Sequence, residues 1–294
     1  MHSISRQTCP ICGKDDAHKL FVTYSPYLDR TLLYDIMACC GCGHRWAVGD
    51  TSPEMLARIY SGSFHQSAQQ WTDDAASSVA PVMVNARLRA AWLRERGLGG
   101  RLLDVGAGNG YFVKAAADAG FDAEGLELSP DAAGRASDLG AKVSVGNFLT
   151  APLQERAINV VTMWDVLSGF ADPAAAVRRA AGLLRPGGYL VLTIVDSTSM
   201  VARLSGRYWP LMIPPVNLQF FSPDSIRRLM EANGLMVETL LHQGKRVSVR
   251  FAGQKLLRSL RLASLEPALE RLVPQRWSVT LNLGDIATVV ARHE

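Results

Sequence analysis

The chain has 294 residues, 48% hydrophobic and 20% charged, which excludes wholesale disorder and leaves room for one large domain with an appendage. Its formal net charge of +4 is too small to argue for nucleic acid by itself. No stretch reaches the apolar length of a membrane span, and residues 1–7 lack the apolar core of a signal peptide, so a cytoplasmic protein is expected.

All five cysteines fall within the first 42 residues. They form Cys9-Pro10-Ile11-Cys12-Gly13 and Cys39-Cys40-Gly41-Cys42-Gly43. Two C-x-x-C pairs, each followed by glycine, are a zinc-ribbon pattern: each knuckle turns sharply and brings two thiolates together. Cys9, Cys12, Cys39 and Cys42 then complete a closed, structural S4 site for Zn2+. Cys40 is a spare thiol that can compete as a ligand, and His44 can in principle replace one sulfur. Between the pairs, Leu20 to Met37 alternates like a small hairpin.

Ser52-Pro53-Glu54 reads as a helix start, with Ser52 as N-cap and a helix to about Tyr60. Residues 61–65 connect it to a second start at Thr72-Asp73-Asp74. A helix interrupted around Pro81 then runs to Arg96 and stops at Gly97-Leu98-Gly99-Gly100.

The stretch Leu102-Leu103-Asp104-Val105-Gly106-Ala107-Gly108-Asn109-Gly110-Tyr111-Phe112 organises the remainder. A buried strand, a glycine turn and a helix from Tyr111 to Ala119 make the first crossover of a doubly wound α/β sheet. Glycine lets the backbone close on a ligand. A dinucleotide site would prefer G-x-G-x-x-G, whereas the spacing here is G-x-G-x-G. Asp104 would repel a pyrophosphate but could hold an amine.

Further strands are expected at 122–128, 141–145, 158–164, 189–195, 235–241 and 285–292. Ser129-Pro130, Asp172-Pro173 and Ser222-Pro223 open the intervening helices, and Gly234 stops the last of them. Residues 244–284 insert between the sixth and seventh strands. Eight basic residues from Lys245 to Arg276 meet only Glu266 and Glu270 there, which predicts a surface helix with a solvated basic face. The alternative is a surface for anionic membrane or an acidic partner.

The glycine turn, Gly125-Leu126-Glu127-Leu128-Ser129, Asn159 to Leu167, and Leu183 to Leu190 with its Pro-Gly-Gly turn resemble, in order, four motifs of class I S-adenosylmethionine-dependent methyltransferases. The resemblance covers roughly residues 100–240. It implies a Rossmann-like seven-stranded α/β methyltransferase sheet with helices on both faces, carrying a small N-terminal zinc ribbon. The organisation expected is a ribbon at 1–50, a helical linker or cap over the cofactor site at 51–97, and the core at 98–294.

It also implies a binding set for S-adenosyl-L-methionine. Glu127 would accept from the ribose hydroxyls, Gly106, Ala107, Gly108, Gly110 and Tyr111 would approach the methionine part, and Asp104 would engage its amino group. Leu128, Asn147 and Phe148 would contribute on the adenine side, Trp164 would be either core or cofactor wall, and the backbone from Trp164 through Asp165 to Val166 would contact the cofactor. Relatives often show Glu-His after the fourth strand and before the Phe-Phe-Ser segment; this chain has Ser168-Gly169 and Val216-Asn217. On the acceptor side, His65 in the covering segment is the candidate proton acceptor, and Tyr208, Trp209 and Asn217 are candidate wall residues. A ribbon ahead of such a core is similar to a subgroup acting on sugars and secondary metabolites. The expected activity is O- or C-methylation of a small molecule. Alternatives are an RNA or protein methyltransferase whose ribbon recruits substrate, or a cofactor-binding scaffold.

Overall fold

The computed structural model describes residues 8–25, 31–52, 55, 81–250, 253–254, 257, 263–274 and 277–294. The second helix start at Thr72, most of the helix expected from Ser52, and His65 lie outside the described residues. Ser52 Oγ does accept from the Met55 amide at 3.2 Å, as an N-cap would.

Seven strands form the central sheet: β4 (Arg101–Val105), β5 (Asp122–Glu127), β6 (Val143–Val145), β7 (Ile158–Met163), β8 (Leu184–Val195), β10 (Leu235–Leu241) and β13 (Ile286–His293). Their order is β10-β13-β8-β7-β4-β5-β6. Strands β4 to β8 pair in parallel, and β13 runs antiparallel to both β8 and β10. All six parallel strands therefore end on one rim, where open α/β sheets bind ligands.

Both faces of the sheet are covered, as a mostly parallel sheet requires. Leu103, Val161, Leu190 and Leu192 pack under α4 (Pro173–Leu183) and α6 (Pro223–Glu231). Leu102, Val160, Val191 and Val290 turn the other way, under α1 (Pro81–Glu95) and α2 (Tyr111–Asp118). The switch between adjacent positions is the two-residue period of a strand. Between β5 and β6 runs α3 (Pro130–Asp138), capped by Ser129 as expected. Asp172 caps α4, and Ser222 with Ser225 closes a capping box on α6.

The fifth strand and the insertion differ most from expectation. The fifth strand begins at Leu184, not Tyr189, because the Pro-Gly-Gly turn stays on the sheet as a register shift opposite Ile158 to Val160. Gly188 permits this, since a Cβ there would stand 2.9 Å from the Arg185 carbonyl oxygen. The insertion is not simply helical. It closes as a two-stranded ladder of β11 (Lys245–Ser248) and β12 (Ser278–Leu281), with the short helix α7 (Glu266–Leu272) between.

The N-terminal unit folds as the expected hairpin, β1 (Ala17–Tyr24) against β2 (Leu33–Cys39), followed by β3 (Arg45–Val48). Its fourth strand comes from the core: β9 (Gln219–Phe220) pairs antiparallel with β3. Tyr34, Trp46 and Phe220 are completely buried at or beside this seam. Each such side chain contributes roughly 1.5–3 kcal/mol relative to exposure. A short helix, α5 (Met200–Ser205), lies in the excursion between β8 and β9.

Candidate active site

The glycine turn sits on the carboxyl rim, between β4 and α2. Gly106, Gly108 and Gly110 have φ of +69°, +54° and +75°, in the left-handed region that favours glycine. Their surroundings differ. A Cβ on Gly106 would stand 2.6 Å from Val166, and one on Gly110 would meet Ala136 and Ala141 at 2.7 Å. A Cβ on Gly108 would meet nothing within 4 Å, so only this part of the turn faces open space.

Glu127 ends β5 beside the turn and is buried. Its Oε2 accepts from the Gly108 amide at 2.8 Å and its Oε1 from the Ser129 amide at 2.9 Å. Each oxygen keeps a second lone pair for a ligand. Asp104 is buried one strand away and accepts from Thr162 Oγ1 at 2.7 Å. Burial pushes its pKa up to about 7, against the Thr162 hydrogen bond and the nearby Arg89 charge.

Trp164 packs edge-on against Phe112 at 5.3 Å, and the Arg89 guanidinium lies 4.4 Å above its ring. Its indole N–H is buried and makes no hydrogen bond among the described residues. Asp165 follows with φ of +62°, uncommon for a side chain other than glycine. Its side chain is about half exposed; desolvation from the packing around it would by itself raise its pKa, but Lys245 and Arg89 together hold it well below the usual carboxylate range. Lys245 Nζ is 2.7 Å from both carboxylate oxygens, Arg89 Nη2 is 3.2 Å from Oδ2, and Thr193 Oγ1 donates to Oδ1 at 3.0 Å. Two hydrogen bonds between Asn85 and the Arg246 backbone, at 2.8 and 2.9 Å, run beside this cluster. Helix α1 and strand β11 thus meet above the end of β7.

The other expected site residues divide between surface and core. Leu128 is exposed, and Asn147 is exposed with its Oδ1 on the Leu149 amide. The Phe148 ring is core, edge-on to Phe170 at 6.3 Å, and so is not a free surface for a ligand ring. Trp209 is likewise core rather than an open wall: it packs against Phe220 and donates Nε1 to Asp285 at 3.0 Å. The Asn217 side chain is tied to the Leu211 carbonyl at 2.9 Å, and Tyr208 is fully presented to solvent. The two segments that depart from the Glu-His pattern meet, since the Leu218 amide donates to the Ser168 carbonyl at 2.7 Å.

A second cluster lies in the N-terminal unit. The Sγ atoms of Cys9, Cys12, Cys39 and Cys42 all lie within 4.8 Å of one another. The Cys9–Cys42 and Cys12–Cys39 separations are 3.6 and 3.5 Å, far beyond a disulfide bond and close to the spacing around a tetrahedral zinc. Gly41 points its amide at Cys39 Sγ. His44 does not join this set. It is buried in the seam, stacked on Trp46, with Nε2 at 2.9 Å from Gln219 Oε1. Burial lowers its pKa to about 4. Cys40 is exposed, and its Sγ lies near His18.

No helix among the described residues is long and apolar enough to cross a membrane. The family described as "Methyltransferase domain" matches residues 80–240. A ubiquinone biosynthesis O-methyltransferase of Aromatoleum aromaticum is 30% identical over 196 residues, covering 60% of this chain and 82% of that protein. One from Ralstonia nicotianae is 29% identical over 164 residues, covering 51% and 68%. The fold is similar to magnesium protoporphyrin IX methyltransferase of Synechocystis PCC 6803 with bound SAH, at TM-score 0.56, 13% identity and coverage of 83% and 100%. It is also similar to a SAM-dependent methyltransferase of Thermotoga maritima, at TM-score 0.51, 21% identity and coverage of 79% and 97%. The match over more than half of the chain, on a sheet of this order, makes the protein a member of the methyltransferase domain family: an S-adenosylmethionine-dependent methyltransferase.

Proposed function

We propose that the protein methylates a hydroxyl oxygen of a small molecule. The observation that carries this reading is the roof over the rim. Lys245 of β11 and Arg89 of α1 converge on Asp165, so two elements from distant parts of the chain close over the end of β7. A roofed site suits a small acceptor better than a folded macromolecule. The relatives named as O-methyltransferases support oxygen as the acceptor atom.

The donor set fits the cofactor. S-adenosylmethionine supplies a methyl group activated by the sulfonium to which it is bonded. Glu127 offers its free lone pairs to a ribose diol, and the open face of Gly108 lets the backbone approach the methionine part. Asp104 would accept from the amino group, and the buried indole N–H of Trp164 is unpaired among the described residues. Ala107 and Tyr111 would stand along the methionine part, and Asp165 and Val166 follow β7 on the same rim, where ordering of reactants and exclusion of water would supply most of the rate. The four cysteines would hold a structural Zn2+, closed to substrate.

The test is a radiolabelled methyl-transfer assay across small phenols, sugars, tRNA and protein pools. Label in phenolic or alcoholic small molecules is the expected outcome. Label confined to RNA or protein would overturn the reading. Binding of S-adenosylhomocysteine with transfer to no pool would favour a scaffold.

A further inference from the structure

We infer that His242 and Asp196 form the proton-accepting dyad for the acceptor hydroxyl, an inference that rests on the hydroxyl-acceptor reading above. The two residues are 46 positions apart, and the structure brings His242 Nε2 to 3.0 Å from Asp196 Oδ2. Asp196 follows β8 and His242 follows β10. Both strands run antiparallel to β13, so both residues stand on the rim that carries the glycine turn and Asp165.

The dyad is joined to that rim by covalent and hydrogen-bonded links. Lys245, which reaches Asp165, lies three residues beyond His242 on the same segment. The Asp196 amide donates to the Asp285 carbonyl at 2.9 Å, and Lys245 lies close enough to Asp285 to feel its charge. Thr193 of β8, three residues before Asp196, donates to Asp165.

The arrangement is built for one task. The Asp196 carboxylate is buried, and its Oδ1 is held by the Thr198 amide at 2.8 Å and by Thr198 Oγ1 at 2.6 Å. That fixes Oδ2 towards the imidazole. A carboxylate on Nε2 stabilises the tautomer with its proton there and leaves Nδ1 as the basic nitrogen. The His242 ring is about one-third exposed, and Nδ1 has no partner among the described residues. The other described histidines cannot serve. His44 is sealed in the seam, His18 lies on the ribbon, and His293 ends β13 at the opposite rim of the sheet, against the Arg185 carbonyl.

In the step, the acceptor oxygen forms a bond to the methyl carbon as the carbon–sulfur bond breaks. That electron pair stays on sulfur, giving the neutral thioether. The hydroxyl proton passes to Nδ1 of His242, and Asp196 stabilises the imidazolium through Nε2–H. The proton is then released to solvent.

The experiment uses the full chain, radiolabelled S-adenosylmethionine and two phenolic probes. Catechol must lose a proton during the reaction, whereas 4-nitrocatechol is largely ionised at neutral pH. His242→Gln is expected to lower kcat on catechol by about 10²-fold and on 4-nitrocatechol by less than about tenfold, because only the first needs a base. Imidazole should partly restore His242→Ala on catechol, and Asp196→Asn should lower kcat in the same probe-dependent sense. Calorimetric affinity for S-adenosylhomocysteine should stay unchanged in all three variants. Equal losses on both probes, lost S-adenosylhomocysteine affinity, or full activity of His242→Gln would overturn the dyad while leaving the hydroxyl reading intact. Where the unaltered protein methylates neither probe, the hydroxyl compound it labels in the assay above takes their place, and label in no hydroxyl compound, with S-adenosylhomocysteine still bound, would overturn the hydroxyl reading and the dyad with it.

Discussion

Lys245 holds both carboxylate oxygens of Asp165 at 2.7 Å across 80 residues of sequence. The pair joins the insertion to the end of the fourth parallel strand, and Arg89 adds a second cation from α1. Both partners keep partial contact with solvent, so the link is a latch rather than a large source of stability.

The latch predicts a local effect. Lys245→Met should speed amide exchange in β11 and at Asn85 while leaving β4 and β8 unchanged. Global stability should fall by no more than about 1 kcal/mol, as for exposed ion pairs, and added salt should mimic part of the change. Hydrogen exchange read by mass spectrometry checks both. Unchanged protection of β11 would mean that the ladder stands without the latch.

The glycines predict a separation between folding and binding. Gly110→Ala should destabilise strongly, because its Cβ would meet Ala136 and Ala141 at 2.7 Å on a backbone with φ of +75°. Gly108→Ala should cost only the left-handed backbone penalty, about 1–2 kcal/mol, yet weaken S-adenosylhomocysteine binding, since its Cβ points into open space. Denaturant titration and calorimetry on the two variants distinguish the roles. A Gly108→Ala protein that binds normally would remove the turn from the cofactor site.

Glu127→Ala should weaken S-adenosylhomocysteine binding by about 1–3 kcal/mol through lost and unpaired polar contacts. The same change frees the Gly108 and Ser129 amides, so a loss of thermal stability should accompany it. Glu127→Gln keeps one acceptor and should lose less. Unchanged calorimetric affinity in Glu127→Ala would exclude the carboxylate from the site.

Asp104 predicts a pH dependence. Its folded pKa of about 7 lies above the ordinary aspartate value near 4, so the folded state binds more protons between those values. This group's contribution therefore makes the ligand-free protein less stable as pH rises from about 4 to about 7, and Asp104→Asn should flatten that slope. An amino group on a bound ligand favours the ionised carboxylate, so affinity for S-adenosylhomocysteine should rise from about pH 6 to 8, on either side of that pKa, in the unaltered protein alone. Equal pH profiles for Asp104→Asn and the unaltered protein would exclude this pairing.

The cysteines predict one zinc per chain in protein purified without chelator, retained in Cys40→Ser. Cys9→Ser should lose it and unfold the ribbon. Because β9 completes the ribbon sheet and Ser222 Oγ donates to the Cys42 carbonyl, protection should also fall at Gln219 to Ser222. The remaining parallel strands should keep theirs. Metal analysis with hydrogen exchange checks this, and a metal-free ribbon of unchanged protection would refute it.

Local pattern carried much of this protein. Glycines on alternate residues between an apolar run and a helix specify a strand–turn–helix wherever they occur, because backbone sterics decide it. Two C-x-x-C knuckles and the Ser129, Asp172 and Ser222 caps are equally local, and each appears where its spacing put it. The fold and the cysteine cluster were therefore legible.

What the tertiary structure decided are meetings between segments whose spacing in sequence says nothing. Gln219 and Phe220 fall in no expected strand, yet they complete the ribbon's sheet, because β3 offers an unpaired edge there. The insertion reads as a basic helix, yet its ends pair as strands and carry Lys245 to Asp165. His242 ends an ordinary apolar strand, and nothing around it marks a reactive group. Only the antiparallel entry of β13 between β8 and β10 puts it across from Asp196. Periodicity specifies which face of an element is buried, whereas the order in which elements pack specifies which rim residues touch.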